Sequence, residues 1–154
     1  MDINTLLNHY RFVRTNTLSI LKDVTEEASD LIPEGHNNSI RWNAGHILVS
    51  EALFFGAILD NPKSQQYVNL FKPGTNPREY ESMPPSLEEI NDLLQSQQSQ
   101  LEKMIETRAN EPLPKAVQIG PVELKTIKDV VHFSIYHEGV HQGTMKALIN
   151  SISK

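Results

Sequence analysis

Apolar residues return every three or four positions in four separate stretches of the chain, a spacing that predicts four amphipathic helices. The first runs from Asp2 to about Asp30, with Ile3, Leu6, Leu7, Tyr10, Leu18, Leu21 and Val24 on its stripe and neither Pro nor Gly inside. Asp2 or Asn4 is its expected cap. Arg14 and Thr17 fall on the same stripe, where they either snorkel from a splayed helix end or line an internal pocket. His9 lies off the stripe and is expected in solvent. Pro33 to Ser39 is a turn cluster that ends this segment, with Asn38 or Ser39 capping the next. The second helix, about Ile40 to Leu59, puts Trp42, His46, Val49, Leu53 and Ala57 on one face, with Asn43 and Ser50 at its edge.

Pro62, Pro73, Gly74, Pro77, Pro84 and Pro85 then break the pattern and predict a long crossover, with a short helical turn around Lys63 to Phe71. Tyr67, Phe71 and Tyr80 either make this segment a lid or anchor it to the surface. Ser86-Leu87-Glu88-Glu89 reads as a capping box opening the third helix, whose stripe is Leu87, Ile90, Leu94, Leu101, Met104 and Ile105. Glu102, Lys103 and Glu106 face water, and Gln97 and Gln98 border the stripe, read first as hydrated edge residues and second as substrate contacts. Pro112 and Pro114 stop this helix. Val117 to Leu124 alternates around Gly120-Pro121, the pattern of a small hairpin. Thr126 with Asp129 caps the fourth helix, which runs to about Ser151. Its core face carries Ile127, Val130, Val131, Ser134, Met145, Leu148, Ile149 and Ile152. The expected fold is all-α: one four-helix bundle over residues 1–154, with a long crossover before the third helix and a β-hairpin before the fourth.

Length and charge narrow the function. A chain of 154 residues suits one domain with a real core. Its 14 Lys and Arg against 19 Asp and Glu give a net charge of −5, which lacks the basic footprint of a nucleic-acid binder. No apolar run is long enough to span a membrane and no leader pattern is visible, so a cytoplasmic location is expected. The absence of cysteine removes thiolate ligands. Phe12 and Phe133, read as exposed, leave a homodimer open.

The chemistry concentrates in His137-Glu138-Gly139-Val140-His141 on the fourth helix. Histidines four apart stack on one helical face and can share a metal ion. Residues after His141 include no His, Asp, Glu or Cys, so a third ligand has to come from upstream. His46, pointing inward from the second helix, is the strongest candidate. Three imidazoles with a vacant position are the pattern of a catalytic rather than a structural centre. All-nitrogen ligation suits zinc or nickel, with iron, copper and cobalt as further options. Glu138 turns toward the core stripe and is read as a general base, as an acceptor orienting a histidine, or as a carboxylate held at the pocket wall by Arg14 or a backbone amide. His132 lies about 140° around the helix from His137 and should not share the ion. His36 sits in a turn and is expected to be exposed.

Trp42-Asn43-Ala44-Gly45-His46 together with His137-Glu138-Gly139-Val140-His141-Gln142-Gly143 resemble the DinB-like superfamily of metal-binding four-helix bundles. The resemblance extends to helix order, the Pro-rich crossover and the hairpin. It implies a divalent ion held by one His of the second helix and two of the fourth, roles that map onto His46, His137 and His141. Relatives include bacillithiol and mycothiol S-transferases and a thiol-dependent maleylpyruvate isomerase, which implies activation of a low-molecular-weight thiol toward a small-molecule electrophile. Such thiols carry carboxylates, so a basic pocket residue is expected, with Arg14 the first candidate and Arg41 the second. Two alternatives stand beside the S-transferase. One is a metal-dependent hydrolase in which Glu138 is the base; the other is a non-catalytic stress-related protein whose metal only staples the bundle.

Overall fold

The computed structural model describes residues 1–154 apart from Ala57, so the inward placement expected for that residue lies outside the described residues. In chain order the elements are α1 (Ile3–Lys22), α2 (Glu26–Ser29), α3 (Ile40–Phe55), α4 (Pro62–Gln65), α5 (Val68–Phe71) and α6 (Leu87–Arg108). Strands β1 (Pro112–Ile119) and β2 (Val122–Thr126) follow, and then α7 (Ile127–Ile152). The four long helices α1, α3, α6 and α7 form the expected bundle. Each starts on a side-chain cap that accepts a hydrogen bond from a first-turn amide: Asp2, Ser39, Ser86 and Thr126 respectively.

Two expected helix ends move inward. The first helix stops at Lys22 rather than near Asp30, because Thr25 turns its hydroxyl to the amide of Ala28 and starts the separate turn α2. The second stops at Phe55 rather than Leu59, because Gly56 takes a left-handed φ of +52°, a conformation open to a residue without Cβ. Leu53, expected inside, is exposed. The buried surface of α3 comes instead from being covered nearly all round: every residue from Ile40 to Ala52 is buried.

The capping box expected at Ser86 is only half formed. Ser86 accepts from the amide of Glu89, but the Glu89 carboxylate accepts from the Tyr67 hydroxyl at 2.5 Å instead of turning back. The amides of Leu87 and Glu88 donate to the carboxylate of Glu26 on α2, which sets a negative charge at the positive end of α6. Arg41 closes the cluster: it pairs with Glu26 and Asp30 and donates to the carbonyl of Pro85. At α7 the box is complete, with Thr126 and Asp129 exchanging bonds. Antiparallel β1 and β2 pair Val117 with Leu124 and Ile119 with Val122, and Gly120 turns between them at φ +54°.

Around the bundle, α1 adjoins α6 and α7, and α3 adjoins the same two from the far side. The contacts Phe54–Phe133, His46–His137 and Asn43–His141 run in opposite senses along α3 and α7, so these helices are antiparallel. Gln97 bonds to Leu48, while Arg41 reaches Pro85 just before α6, so α3 and α6 run parallel. A parallel pair needs a connection that travels back the length of a helix, about 24 Å at the usual rise, and the long Pro-rich crossover is that connection. Its aromatics anchor it. Phe71 is fully buried and meets Tyr80 edge to face at 5.9 Å. No described helix is long and apolar enough to cross a membrane.

The core falls into two apolar clusters, one around Ile47, Leu48, Leu94 and Leu148 and the other around Leu6, Tyr10, Leu101 and Val130. A polar layer separates them, with contributions from all four long helices. Arg14, expected to snorkel or line a pocket, has no exposed surface. It forks onto Glu138 with contacts of 2.9 and 3.1 Å and donates to the Leu94 carbonyl and to Gln97. Thr17 donates to Glu138 at 2.5 Å. Gln97, expected at a hydrated edge, is also fully buried and donates to the Leu48 carbonyl. Its amide satisfies two partners that no apolar residue of that size would satisfy. Glu51 completes the layer from α3, accepting from the Ser134 hydroxyl.

Candidate metal centre

The histidines of α3 and α7 meet along the edge where those helices pack. One ring nitrogen each from His46, His137 and His141 lies within 4.8 Å of the other two. Nε2 of His46 and Nε2 of His137 are 3.1 Å apart. Two nitrogens of one tetrahedral zinc site stand about 3.4 Å apart at the usual bond length of ~2.0–2.1 Å, so the spacing fits a shared ion.

Hydrogen bonds at the far side of the rings fix which nitrogen is bare. The Phe71 carbonyl lies 2.7 Å from Nδ1 of His46 and can only accept, so that nitrogen carries the proton and Nε2 holds a lone pair. Ser50 Oγ stands 3.4 Å from the same Nε2, where a hydroxyl can donate to it. His141 is oriented by Asn43. The amide nitrogen of Asn43 donates to the Ser39 carbonyl at 2.8 Å, which turns Oδ1 toward Nδ1 of His141, also at 2.8 Å. Nδ1 of His141 is therefore a donor as well, and its Nε2 is free. This is the arrangement in which metal-binding imidazoles are held by an outer acceptor.

Protonation is suppressed at all three rings. Burial lowers His46, against the pull of its bond to Phe71. Burial together with the positive charge His46 would carry lowers His137 to about 4, with Glu138 opposing. Burial and the two neighbouring imidazoles lower His141 to about 3. Three neutral imidazoles at physiological pH suit a divalent cation, which needs unprotonated ligands.

One side of the centre is walled. The Trp42 indole stacks on the His46 ring with centroids 4.7 Å apart and planes 8° from parallel, and its Nε1 donates to Thr75 Oγ1 of the crossover at 2.9 Å. Phe71 comes close because residue 45 is glycine: a Cβ there would meet its ring carbons at 2.6 Å. The other side is open, for His137 and His141 are only half buried.

The residues singled out by pattern and spacing therefore divide into two groups in space. His46, His137 and His141 converge. Glu138, adjacent to His137 in sequence, points the other way into the polar layer, where both of its oxygens are taken by Arg14 and Thr17. Of the roles open to it, the carboxylate held by Arg14 is the one whose contacts are present. Arg14, the expected partner for a substrate carboxylate, has no donor at a surface; the charge of Glu138 holds its guanidinium protonated against the cost of burial. Arg41 is likewise committed to Glu26 and Asp30. His9 is exposed, as expected; His132 stands outside the cluster, also in solvent; and His36, expected to be exposed, is half buried beside Ser151 Oγ at 3.3 Å. Periodicity gave no site role to Asn43, Phe71 or Glu51. Asn43 left a trace, standing one turn before an inward-facing histidine. Glu51 left another, as the single charge in an apolar run.

No curated protein matches the chain. The family model of the DinB superfamily matches residues 9–145, a span that holds the three histidines, the crossover, the hairpin and all but the outer ends of the bundle. With most of its length matched and the imidazoles of α3 and α7 brought together, the chain belongs to the DinB superfamily.

Proposed function

We propose that His46, His137 and His141 hold one divalent cation, zinc or nickel by the chemistry of an all-imidazole set, and that the protein is a thiol S-transferase acting on small electrophiles. The observation that carries the reading is the donor pattern: bare nitrogens from two helices converge at a half-exposed edge, and no protein carboxylate or thiolate joins them. A divalent cation held by His46, His137 and His141 would supply Lewis acidity, favouring ionisation of a thiol near neutral pH. In the reaction a carbon–sulfur bond forms, the bond from carbon to its leaving group breaks, and the leaving group departs with the electron pair. The thiol proton goes to solvent.

The chain's own residues hold and shield. Asn43 and the Phe71 carbonyl orient two of the imidazoles, and Trp42 and Phe71 keep water from the crossover side. Arg14 and Glu138 clamp α1 to α7 and so fix the height of His137 and His141. The hydrolase alternative asks Glu138 to act as a base, and its contacts with Arg14 and Thr17 oppose that role. A cation that only staples the bundle fits a closed site better than one with half-exposed ligands.

Metal analysis of purified wild-type and His46→Ala protein, with conjugation assays over several thiols and an aromatic electrophile, tests the reading. One equivalent of metal is expected in the wild type, lost in the variant, with conjugate formed only by the loaded protein. Metal binding without conjugation of any thiol rejects the transferase reading; no metal rejects the site itself.

A further inference from the structure

The free side of the metal centre has a chemical character of its own. Two phenyl rings stand directly against His137: Phe54 of α3 meets it edge-on with centroids 5.5 Å apart, and Phe133 of α7 lies over it at 6.1 Å with the planes 28° apart. The two phenyls meet each other at 5.3 Å, and together they make a half-buried aromatic wall one turn from the imidazole cluster. Tyr136 extends it outward, tilted on Phe133 at 6.1 Å and itself largely exposed. On the helical wheel of α7, Phe133, Tyr136 and Val140 all lie to one side of His137, opposite the side from which Glu138 enters the core.

No lysine or arginine lines the surface pocket beside Phe133, whose charged residues are Glu123 and Asp129. Every side chain that stacks on or hydrogen-bonds to the three imidazoles from outside the cluster is neutral: Trp42, Phe54, Phe133, Asn43 and Ser50. The two arginines best placed by sequence are consumed inside the fold, Arg14 by Glu138 and Arg41 by Asp30 and Glu26. A carboxylate laid against the phenyls, out of reach of an ion held by the imidazoles, would lose hydration and meet no arginine or lysine in return. An apolar ring would gain area and edge or offset contacts with two phenyls.

We infer that Phe54 and Phe133 are specificity-determining residues that select a neutral electrophile bearing an aromatic or bulky apolar substituent, bound with that substituent against His137. The inference rests on the proposed function, since it assigns the substrate class of that same centre. It requires the wall to be free in solution and not covered by a second copy of the chain.

Cobalt-loaded protein tests it through visible absorption, with three azole probes titrated against the cobalt band: imidazole, phenylimidazole and carboxyphenylimidazole. Phenylimidazole should bind at least about tenfold more tightly than imidazole, the gain expected for partial burial of one ring. Carboxyphenylimidazole, whose rigid ring holds its carboxylate away from the ion, should bind less tightly than phenylimidazole. Phe54→Ala and Phe133→Ala should each reduce the phenyl preference to about threefold or less while imidazole affinity stays within about threefold. Should an alanine variant lose its cobalt spectrum, Phe54→Leu and Phe133→Leu take its place and should give intermediate preferences. Equal affinities for imidazole and phenylimidazole, or a preference that survives both substitutions, overturn the inference and leave the metal site standing. A dimer weakened by Phe133→Ala, with no phenyl preference in the wild type, assigns the wall to a second copy and overturns it too. Failure to bind cobalt removes the proposed function and this inference together.

Discussion

Glu51→Gln should stabilise the protein at alkaline pH and do much less at acid pH. Glu51 is 2% exposed; one oxygen accepts from Ser134, and the other, Oε2, has no hydrogen-bond partner. Nη2 of Arg14 stands 3.8 Å from Oε1, but the short bonds of that guanidinium go to Glu138. Burial therefore pushes the Glu51 carboxyl from 4.5 up to about 7, with Arg14 and Ser134 pulling it down and Glu138 pushing it further up. For an acid whose value is raised on folding, the sign is fixed. Below 4.5 both states hold the proton and there is no cost; between 4.5 and 7 the unfolded chain gives it up first, so stability falls as pH rises. The cost is about 1 kcal/mol at pH 5 and about 3 kcal/mol at pH 8. Glutamine keeps the shape without the charge. Urea unfolding of chelator-treated protein should show the variant's advantage growing by roughly 2 kcal/mol between those two pH values. The lowered histidines act in the opposite sense, weakening the fold as pH drops below 6.5 toward 4 and 3, but they titrate alike in both proteins and cancel in the difference. An advantage that is the same at pH 5 and pH 8 would refute the reasoning, because it would mean that Arg14 compensates the charge of Glu51 in full.

Arg14→Leu leaves Glu138 and Glu51 buried without their cation and should cost about 3–5 kcal/mol in denaturant melts, with Arg14→Leu/Glu138→Leu recovering most of it; wild-type stability in the single variant contradicts the clamp. Asn43→Ala removes the acceptor that orients His141 and should weaken metal binding by about 10–100-fold in calorimetry, while Asn43→Asp stays near wild type; unchanged affinity in Asn43→Ala rejects the orienting role. Gly45→Ala drives a methyl into the Phe71 ring and should cost about 1–3 kcal/mol and also weaken metal binding, since the Phe71 carbonyl holds His46; a variant unchanged in both rejects the close approach.

What the sequence reveals about this fold is what repeats locally. Helical period and capping residues locate all four long helices, and the spacing of His137 and His141 marks the centre before any contact is known. The points that escape depend on partners far along the chain. Gln97 and Gln98 are alike in sequence, yet Gln97 is buried because Leu48 and Arg14, from other helices, satisfy its amide, while Gln98 bonds only to Glu102 one turn away. A pairing of Arg14 with Glu138 is among the readings open from sequence, yet Arg14 also reads as available for a substrate, because its neutralising carboxylates lie on α3 and α7 and no spacing rule couples position 14 to 51 or 138. The ends of α1 and α3 are overrun because a favourable apolar stripe continues past Asp23 and Gly56, where a local cap and a left-handed turn prevail. Gly45 carries no pattern at all; its role is visible only once Phe71 is seen against it.

The bonds that build the centre join residues 25, 91 and 98 positions apart. A ribosome that has produced α1 through α6 has supplied one imidazole of the three, and neither neighbour that would hold an ion beside it. At a synthesis rate of about 5–20 residues per second, the nascent chain spends seconds with His46 unable to retain a cation. An ion shared by these three histidines could therefore be held only once α7 has emerged and docked against α3.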